Sequence, residues 1–313
     1  MHIGYLISAH TDPQQLKRLV DAINSDRACF FIHIDRKVSI EQFTSVIKGG
    51  NIRFIQDRKD VRWGTIIETD YQMALIRAAA ASRMNFDKLF FLSGMDYPLW
   101  STRRIEEWVD SVGGKEVLYG INMNTCSICG QQRELYATPR PFFSWKWLGN
   151  KGNQRLGILC RKLKKAVGLR KPLAFAVDGQ PWNLYKGSAW CCISGEMASD
   201  ILKVYDTVPA VKRYFTDSFG PAETVIPTIA FNNRQWASKC TLVEGAYPGL
   251  AALTPLHFID YNPVIKVMDE ADYGRLVDSG RMFARKLVSG KSDKLVEMLD
   301  EHRRKEEERY GSR

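Results

Sequence analysis

The chain has 313 residues, 45% of them hydrophobic and 26% charged, with a formal net charge of +10. That composition suits a globular protein with one large core or two modest ones, and no apolar run reaches the roughly 18–20 residues of a membrane span. A basic balance speaks about partners rather than fold, and nucleic acid is set aside because no RNP, zinc-finger or helix-turn-helix pattern accompanies the charge.

The opening segment MHIGYLISAH has no basic start and no small-residue cleavage site. It reads as a first strand rather than a signal peptide, and the expected location is the cytoplasm. Residues 3–9 form that strand, closed by His10-Thr11-Asp12-Pro13. Asp12 is placed as an N-cap with Pro13 at the first helical position, and Leu16, Leu19, Val20 and Ile23 then share one helix face. Cys29 to Ile34 is a second buried strand, ended by Asp35-Arg36-Lys37, and His33 within it reads as a satisfied core histidine. A short helix from Ile40 to Ile47 and a third strand from Ile52 to Ile55 follow. Val61-Arg62-Trp63-Gly64 opens a long helix from Thr65 to Ser82. The apolar run Leu89-Phe90-Phe91-Leu92 then ends abruptly in Ser93-Gly94-Met95-Asp96-Tyr97-Pro98, the mark of a buried strand bounded by turn formers.

Strand and helix alternating in this way give a parallel, doubly wound α/β sheet. Such sheets bind ligands beyond their strand ends, which puts Asp96 and Tyr97 where a ligand would sit. No GxGxxG follows the first strand and no GxxxxGK[ST] occurs, which argues against NAD, FAD and P-loop nucleotide binding.

Residues 120–185 are less regular and rich in aromatics, as expected of an insertion that selects a partner. Much of the basic excess lies in residues 146–171, where Arg161-Lys162-Leu163-Lys164-Lys165-Ala166-Val167 has a basic face with apolar residues between. That face is either a solvated helix surface or a peripheral membrane contact. Regularity returns at Trp190 to Ser194, with a helix from Gly195 to Tyr205. The tail from Glu297 to Arg313 is read as a solvated helix or frayed end. With no internal repeat and no linker, a single domain over residues 1–296 is expected, followed by the charged tail 297–313. Seven cysteines make an odd count without a disulfide framework, and Cys126-Ser127-Ile128-Cys129, lacking a second pair, is read as a reduced structural pair in a reducing compartment. Cys191-Cys192 is read as core.

Several segments together resemble the core-2/I-branching N-acetylglucosaminyltransferases and the peptide O-xylosyltransferases. They are Ala9-His10, Ile32-His33-Ile34-Asp35, Val61-Arg62-Trp63-Gly64, Leu92-Ser93-Gly94-Met95-Asp96-Tyr97-Pro98-Leu99, Gly187-Ser188-Ala189-Trp190 and Phe283-Ala284-Arg285-Lys286, all in the family's order. The resemblance implies a glycosyltransferase-A fold and an inverting transfer from a UDP-sugar, with N-acetylglucosamine or xylose as the sugar, to a hydroxyl of a glycan or lipid-linked saccharide. For a chain read as lacking signal and anchor, that means a peripheral enzyme of bacterial polysaccharide assembly. Glycosyltransferases of this fold commonly hold a divalent ion through Asp-x-Asp, and this chain has none. No metal or other cofactor is therefore expected, and basic side chains must stabilise the departing diphosphate. By resemblance Arg285 and Lys286 take that role, although they could also be plain surface charges.

An inverting transfer needs a general base beside the acceptor hydroxyl. In Phe219-Gly220-Pro221-Ala222-Glu223-Thr224-Val225-Ile226-Pro227-Thr228, Glu223 matches the family's base; Ala222 stands where relatives have Asp, and Pro227 is unexpected. Glu223 alternatively charges the first turn of a helix. His10, Asp35 and Arg58 join Asp96 and Tyr97 as nucleotide-site candidates, since a carboxylate can accept from uracil N3–H or a ribose hydroxyl. Trp190 and Trp63 are acceptor-side candidates, with core packing as the other reading of each. His257 replaces an Arg seen in relatives, so a phosphate contact there would be weaker and pH-dependent. The rival to an enzyme is a non-catalytic nucleotide- or carbohydrate-binding protein on the same fold.

Overall fold

A computed structural model describes residues 2–127, 130–143, 145–261 and 264–311. Strand β1 (His2–Ala9) is almost wholly buried, as its apolar run demands, and α1 (Pro13–Ala22) follows. The Asp12 side chain accepts from the Gln15 N–H with Pro13 in the first turn, and Leu16, Leu19, Val20 and Ile23 are all buried. Strand β2 (Ala28–Ile34) is buried along its whole length. The expected helix near residues 40–47 shortens to α2 (Glu41–Thr44), followed by β3 (Ile52–Phe54). Helix α3 (Ile66–Ala81) starts at Thr65, whose hydroxyl caps Ile67, and leads to β4 (Phe86–Ser93).

The main sheet runs from the short strand Cys192–Ile193 through β4, β1 and β2 to β3. Strands β1 to β4 are parallel, and only Cys192–Ile193 lies antiparallel, at the edge. The chain therefore winds outward from β1 to β3, then returns across β1 to β4. The carboxyl ends of β1 and β4 flank this reversal, and ligand crevices form at such a point. Tyr5 at the centre of β1 stacks between Phe30 and Phe90 of the flanking strands, at 5.3 and 5.4 Å between ring centroids. The doubly wound α/β expectation holds.

The turn at Gly94-Met95 sends the chain into β5 (Asp96–Pro98), which pairs antiparallel with Phe283–Arg285; that strand pairs in parallel with His257–Ile259. In register, Asp96 faces Arg285. Helix α4 (Thr102–Val112) follows, capped by Ser101. Within residues 120–185 the chain is more ordered than its composition suggests. It forms helices Gly130–Ala137 and Gly149–Ala166 and a hairpin from Ala174–Val177 and Gln180–Asn183.

The charged C-terminal segment is a docked helix, Asp293–Gly311, rather than a frayed end. Its buried Leu295, Val296 and Leu299 pack near Tyr97, and Glu306 accepts from Arg104 at 2.7 Å and from the Ser101 N–H at 2.6 Å. Cys126 is disulfide-bonded, so the expectation of a reduced Cys126–Cys129 pair fails at Cys126; Cys129 lies outside the described residues. CxxC spacing suits a thiol pair and a closed disulfide loop alike, and spacing alone does not choose between them. Cys191 and Cys192 are buried as expected.

Candidate active site

A cavity of about 560 Å³ opens at the reversal of strand order. Ser8 at the end of β1, His10 just beyond it, Asp35 beyond β2 and Leu92-Ser93 at the end of β4 form its floor, and Glu68 and Tyr71 of α3 line one side. Trp63, Trp190, Phe219, Gly220, Ala222, Glu223 and Arg285 complete it. Elements remote in sequence thus converge on one crevice, and most of the expected site residues are among them.

Glu223 closes a one-turn 3-10 helix, Pro221–Glu223, entered through Gly220 at φ 62°. The Gly220 N–H donates to the Gly64 carbonyl at 3.1 Å, tying this turn to the Val61–Gly64 segment. Gly64 itself has φ 75°, and a Cβ there would lie 2.8 Å from the Phe219 ring, so this position admits only glycine. Glu223 Oε2 accepts from Tyr136 Oη at 3.1 Å and from the buried Lys186 ammonium. Oε1 makes no hydrogen bond among the described residues and is the atom available to a proton. Pro227 is explained by its place in the first turn of the helix Val225–Asn232, where no intrahelical N–H is required.

Arg285 lies 2.9 Å from Asp96 Oδ1 and spreads over the Trp190 ring at 4.7 Å. Asp96 is fully buried and also meets His257 Nε2 at 3.2 Å and the Ser93 N–H at 2.7 Å. Burial by itself would push the Asp96 carboxyl up, but Arg285 and His257 outweigh it and hold the group below the usual carboxylate range. Asp96 therefore positions Arg285 and is not a nucleotide contact. His257 is buried against the same carboxylate, so it is not the phosphate contact that its alignment with Arg suggested. Lys286 is half-buried, does not line the cavity wall, and makes no side-chain hydrogen bond or ion pair among the described residues.

Two further expectations are corrected. Tyr97 is buried, and its hydroxyl donates to Asp300 at 2.6 Å, so it anchors the C-terminal helix instead of facing a ligand. Consecutive side chains of β5 point to opposite faces, which is why Asp96 and Tyr97 part company. Arg58 spends its guanidinium on the carbonyls of Ile34, Asp35 and Val38, bracing the loop after β2. His10 and Asp35 do line the cavity; Asp35 accepts from the Lys37 N–H at 2.9 Å and lies 3.1 Å from the Lys37 ammonium. Desolvation lowers the His10 pKa, with Asp35 opposing and Arg285, Lys37 and Lys286 assisting, so the ring favours its neutral form. His33 is a core histidine as expected, accepting from the Lys59 N–H at 2.9 Å and stacked on Tyr71. Trp63 is 67% exposed, which settles it as a surface wall and not core.

Glu68, Lys186 and Tyr136 are the residues that sequence reasoning missed. Thr65-x-x-Glu68 carries the spacing of a capping box, and that signal was available. In the structure Glu68 accepts from the Gly64 N–H at 2.6 Å within the cavity wall. Burial pushes its carboxyl up to about 7, opposed by the Gly64 bond and assisted by the charge on Glu223. Lys186 and Tyr136 carried no local signal, because both act through tertiary contact with Glu223.

The fold is a mixed α/β one with a largely parallel sheet flanked by helices, and the crevice opens at its reversal of strand order. Residues 3–126 match the family model described as Core-2/I-Branching enzyme. The chain is also 23% identical to xylosyltransferase 2 of Pan troglodytes over 328 residues. That alignment covers 96% of this chain and 34% of the relative, so the chain spans about a third of the relative's length. Both findings liken the chain to core-2/I-branching enzymes and xylosyltransferases. Among solved structures, the galactosyltransferase LgtC aligns at 13% identity, covering 97% of this chain and 96% of that one, with a TM-score of 0.42. The mannose-1-phosphate geranyltransferase of Thermus thermophilus aligns at 9%, covering 79% and 75%, with a TM-score of 0.32. Both structural alignments are too loose to decide anything about this chain.

Proposed function

We propose that the chain is an inverting, metal-independent glycosyltransferase that moves a sugar from a UDP-sugar to a saccharide hydroxyl. The observation that carries this reading is a carboxylate with one free oxygen, Glu223 Oε1, in the same cavity as Arg285. The acceptor oxygen attacks the anomeric carbon while the bond from that carbon to the diphosphate oxygen breaks. The acceptor proton passes to Glu223 Oε1, and UDP leaves with its charge met by Arg285 and Lys286. Lys186 and Tyr136 hold the other carboxylate oxygen and so fix the direction of Oε1. A neutral His10 and the Asp35 carboxylate suit the uracil and ribose, and the Trp190 and Trp63 faces suit the apolar sides of sugar rings.

Metal independence is supported by the fate of the strand-end carboxylate: Asp96 is spent on Arg285 and His257 and has no oxygen to offer an ion. N-acetylglucosamine and xylose remain the donor sugars proposed, and a lipid-linked saccharide of bacterial polysaccharide assembly the proposed acceptor, met at the inner membrane face. Among the described residues no helix is long and apolar enough to cross a membrane. The helix Gly149–Ala166 exposes Leu159 and Leu163 in one stripe, continued by Val167. With Lys162 and Lys164 alongside, that stripe suits peripheral contact with anionic lipid. Co-sedimentation with anionic liposomes that survives Lys162→Glu and Lys164→Glu unchanged would remove this part of the proposal.

The main test is calorimetric titration with UDP in excess EDTA, on the wild type and on Lys286→Ala. Metal-free binding that weakens in the variant is the expected result. Binding only with manganese would overturn metal independence, and no binding in either condition would favour a non-catalytic protein.

A further inference from the structure

Beside the main cavity lies a smaller one of about 190 Å³, which shares Lys37, Val61 and Trp63 with it. Arg62, Arg140, Phe142 and Phe143 line its far side, and no acidic residue is among its walls. Arg140 is only 4% exposed. Its side chain makes no hydrogen bond or ion pair among the described residues, and its Nε is buried without a partner. The guanidinium rests instead over the rings of Phe142 and Phe219, each at 5.3 Å. Its neighbours are differently placed: Lys37 pairs with Asp35 and Asp60, and Arg62 meets Asp60 at 3.3 Å. The nearest charge without a balancing carboxylate is therefore Arg140 itself, and Arg161 over the same Phe219 ring, at 5.7 Å, adds positive field.

Cation–π contact recovers only part of what taking an unpaired ion out of water costs. The protein keeps this cost at the edge of a cavity, in a position where a bound anion would remove it. We infer that the smaller cavity is an oxyanion subsite for the acceptor, in which a phosphoryl or carboxylate substituent of the acceptor saccharide seats against Arg140. The subsite is on the acceptor side because of what joins the two cavities. Trp63 and Phe219 meet edge to face at 5.1 Å between them, and Phe219 directly precedes the Gly220-capped turn that ends in Glu223. A Cβ on Gly64 would lie 3.7 Å from Arg140 Nη1, which places the guanidinium against the Trp63-Gly64 turn. The assignment to an acceptor rests on the proposed transferase reading.

The test titrates inorganic phosphate, D-glucuronate and uncharged D-glucose into the protein saturated with UDP, comparing the wild type with Arg140→Met. UDP occupies the diphosphate site, so any anion binding reports elsewhere. The wild type is expected to bind an anion and not glucose, and Arg140→Met to lose at least about tenfold in that affinity with UDP binding unchanged. Tighter phosphate assigns a phosphoryl group, and tighter glucuronate a uronic acid. Arg140→Met is also expected to unfold at the same or a higher temperature, since an unpaired buried charge is removed. Absent anion binding, equal binding by Arg140→Met, or a markedly lower unfolding temperature would each overturn the subsite. Loss of UDP binding in the wild type would instead overturn the transferase reading, leaving the anion measurement to be judged without UDP.

Discussion

The two sides of the site treat buried charge in opposite ways. On the side of β5 and the Phe283–Arg285 strand, Arg285 is matched by a fully buried Asp96, and His257 occupies the second oxygen of that carboxylate. On the side of residues 136–161, Arg140 is almost as buried and has aromatic rings but no carboxylate. A compensated cation is held in place before a ligand arrives, which suits the diphosphate of the proposed donor. An uncompensated one waits for its counter-ion, which suits a group that distinguishes one acceptor from another. The contrast separates a preorganised wall from a selective one.

The sharpest break of the comparison falls on Glu223, the proposed base, which lines the same cavity as Arg285. Glu223→Gln keeps the hydrogen bonds at one side-chain oxygen and removes the proton acceptor. It is expected to lower the transfer rate by about 10²- to 10⁴-fold with UDP affinity unchanged, read by turnover and titration on the same preparation. A fall in UDP affinity of similar size would show that Glu223 acts by holding the donor. Next in size is Asp96→Asn, which strips Arg285 and His257 of their shared partner. Removing one member of a buried pair costs about 3–5 kcal/mol, so denaturant unfolding should register a loss of that order. Arg140→Met has no such penalty, and the opposite responses of the two cations test the contrast directly.

Lys286→Ala is expected to cost about 10²- to 10³-fold in turnover, with weakened UDP binding and an unfolding midpoint close to wild type, since its ammonium makes no hydrogen bond or ion pair among the described residues. Glu68 gives a pH signature. Its carboxyl is raised to about 7 in the fold, so between roughly pH 4.5 and pH 7 the folded state binds more protons than the unfolded one. Stability is therefore full below that window and falls as pH rises through it, by at most about 3.5 kcal/mol at about 1.4 kcal/mol per unit. Thermal unfolding across that range should show the slope, and Glu68→Gln should flatten it. The smallest effect belongs to Trp63→Ala, which leaves the unfolding midpoint within about 0.5 kcal/mol of wild type because the ring is exposed. Its expected consequence is a higher KM for acceptor with kcat preserved.

What the sequence determined by itself was the frame. Runs such as Leu89 to Leu92, the Asp12-Pro13 helix start and the alternation of strand with helix settle the winding of the sheet, because burial and capping are local requirements written into residue type and spacing. The strand ends followed from that frame, and with them His10 and Asp35; Glu223 and Arg285 were picked out by their resemblance to the core-2/I-branching enzymes. Tertiary structure decided what those groups do. Asp96 and Tyr97 are neighbours in sequence, yet β5 turns one to Arg285 and the other to Asp300. Arg58 was read as a ligand contact and instead serves three backbone carbonyls. Lys186 and Tyr136 reach Glu223 from 37 and 87 residues away. The solitude of Arg140 is likewise invisible in the chain, because whether a charge is balanced depends on what surrounds it in space. Periodicity reports which face of an element is buried, but the pairing of buried charges is fixed only when distant segments meet.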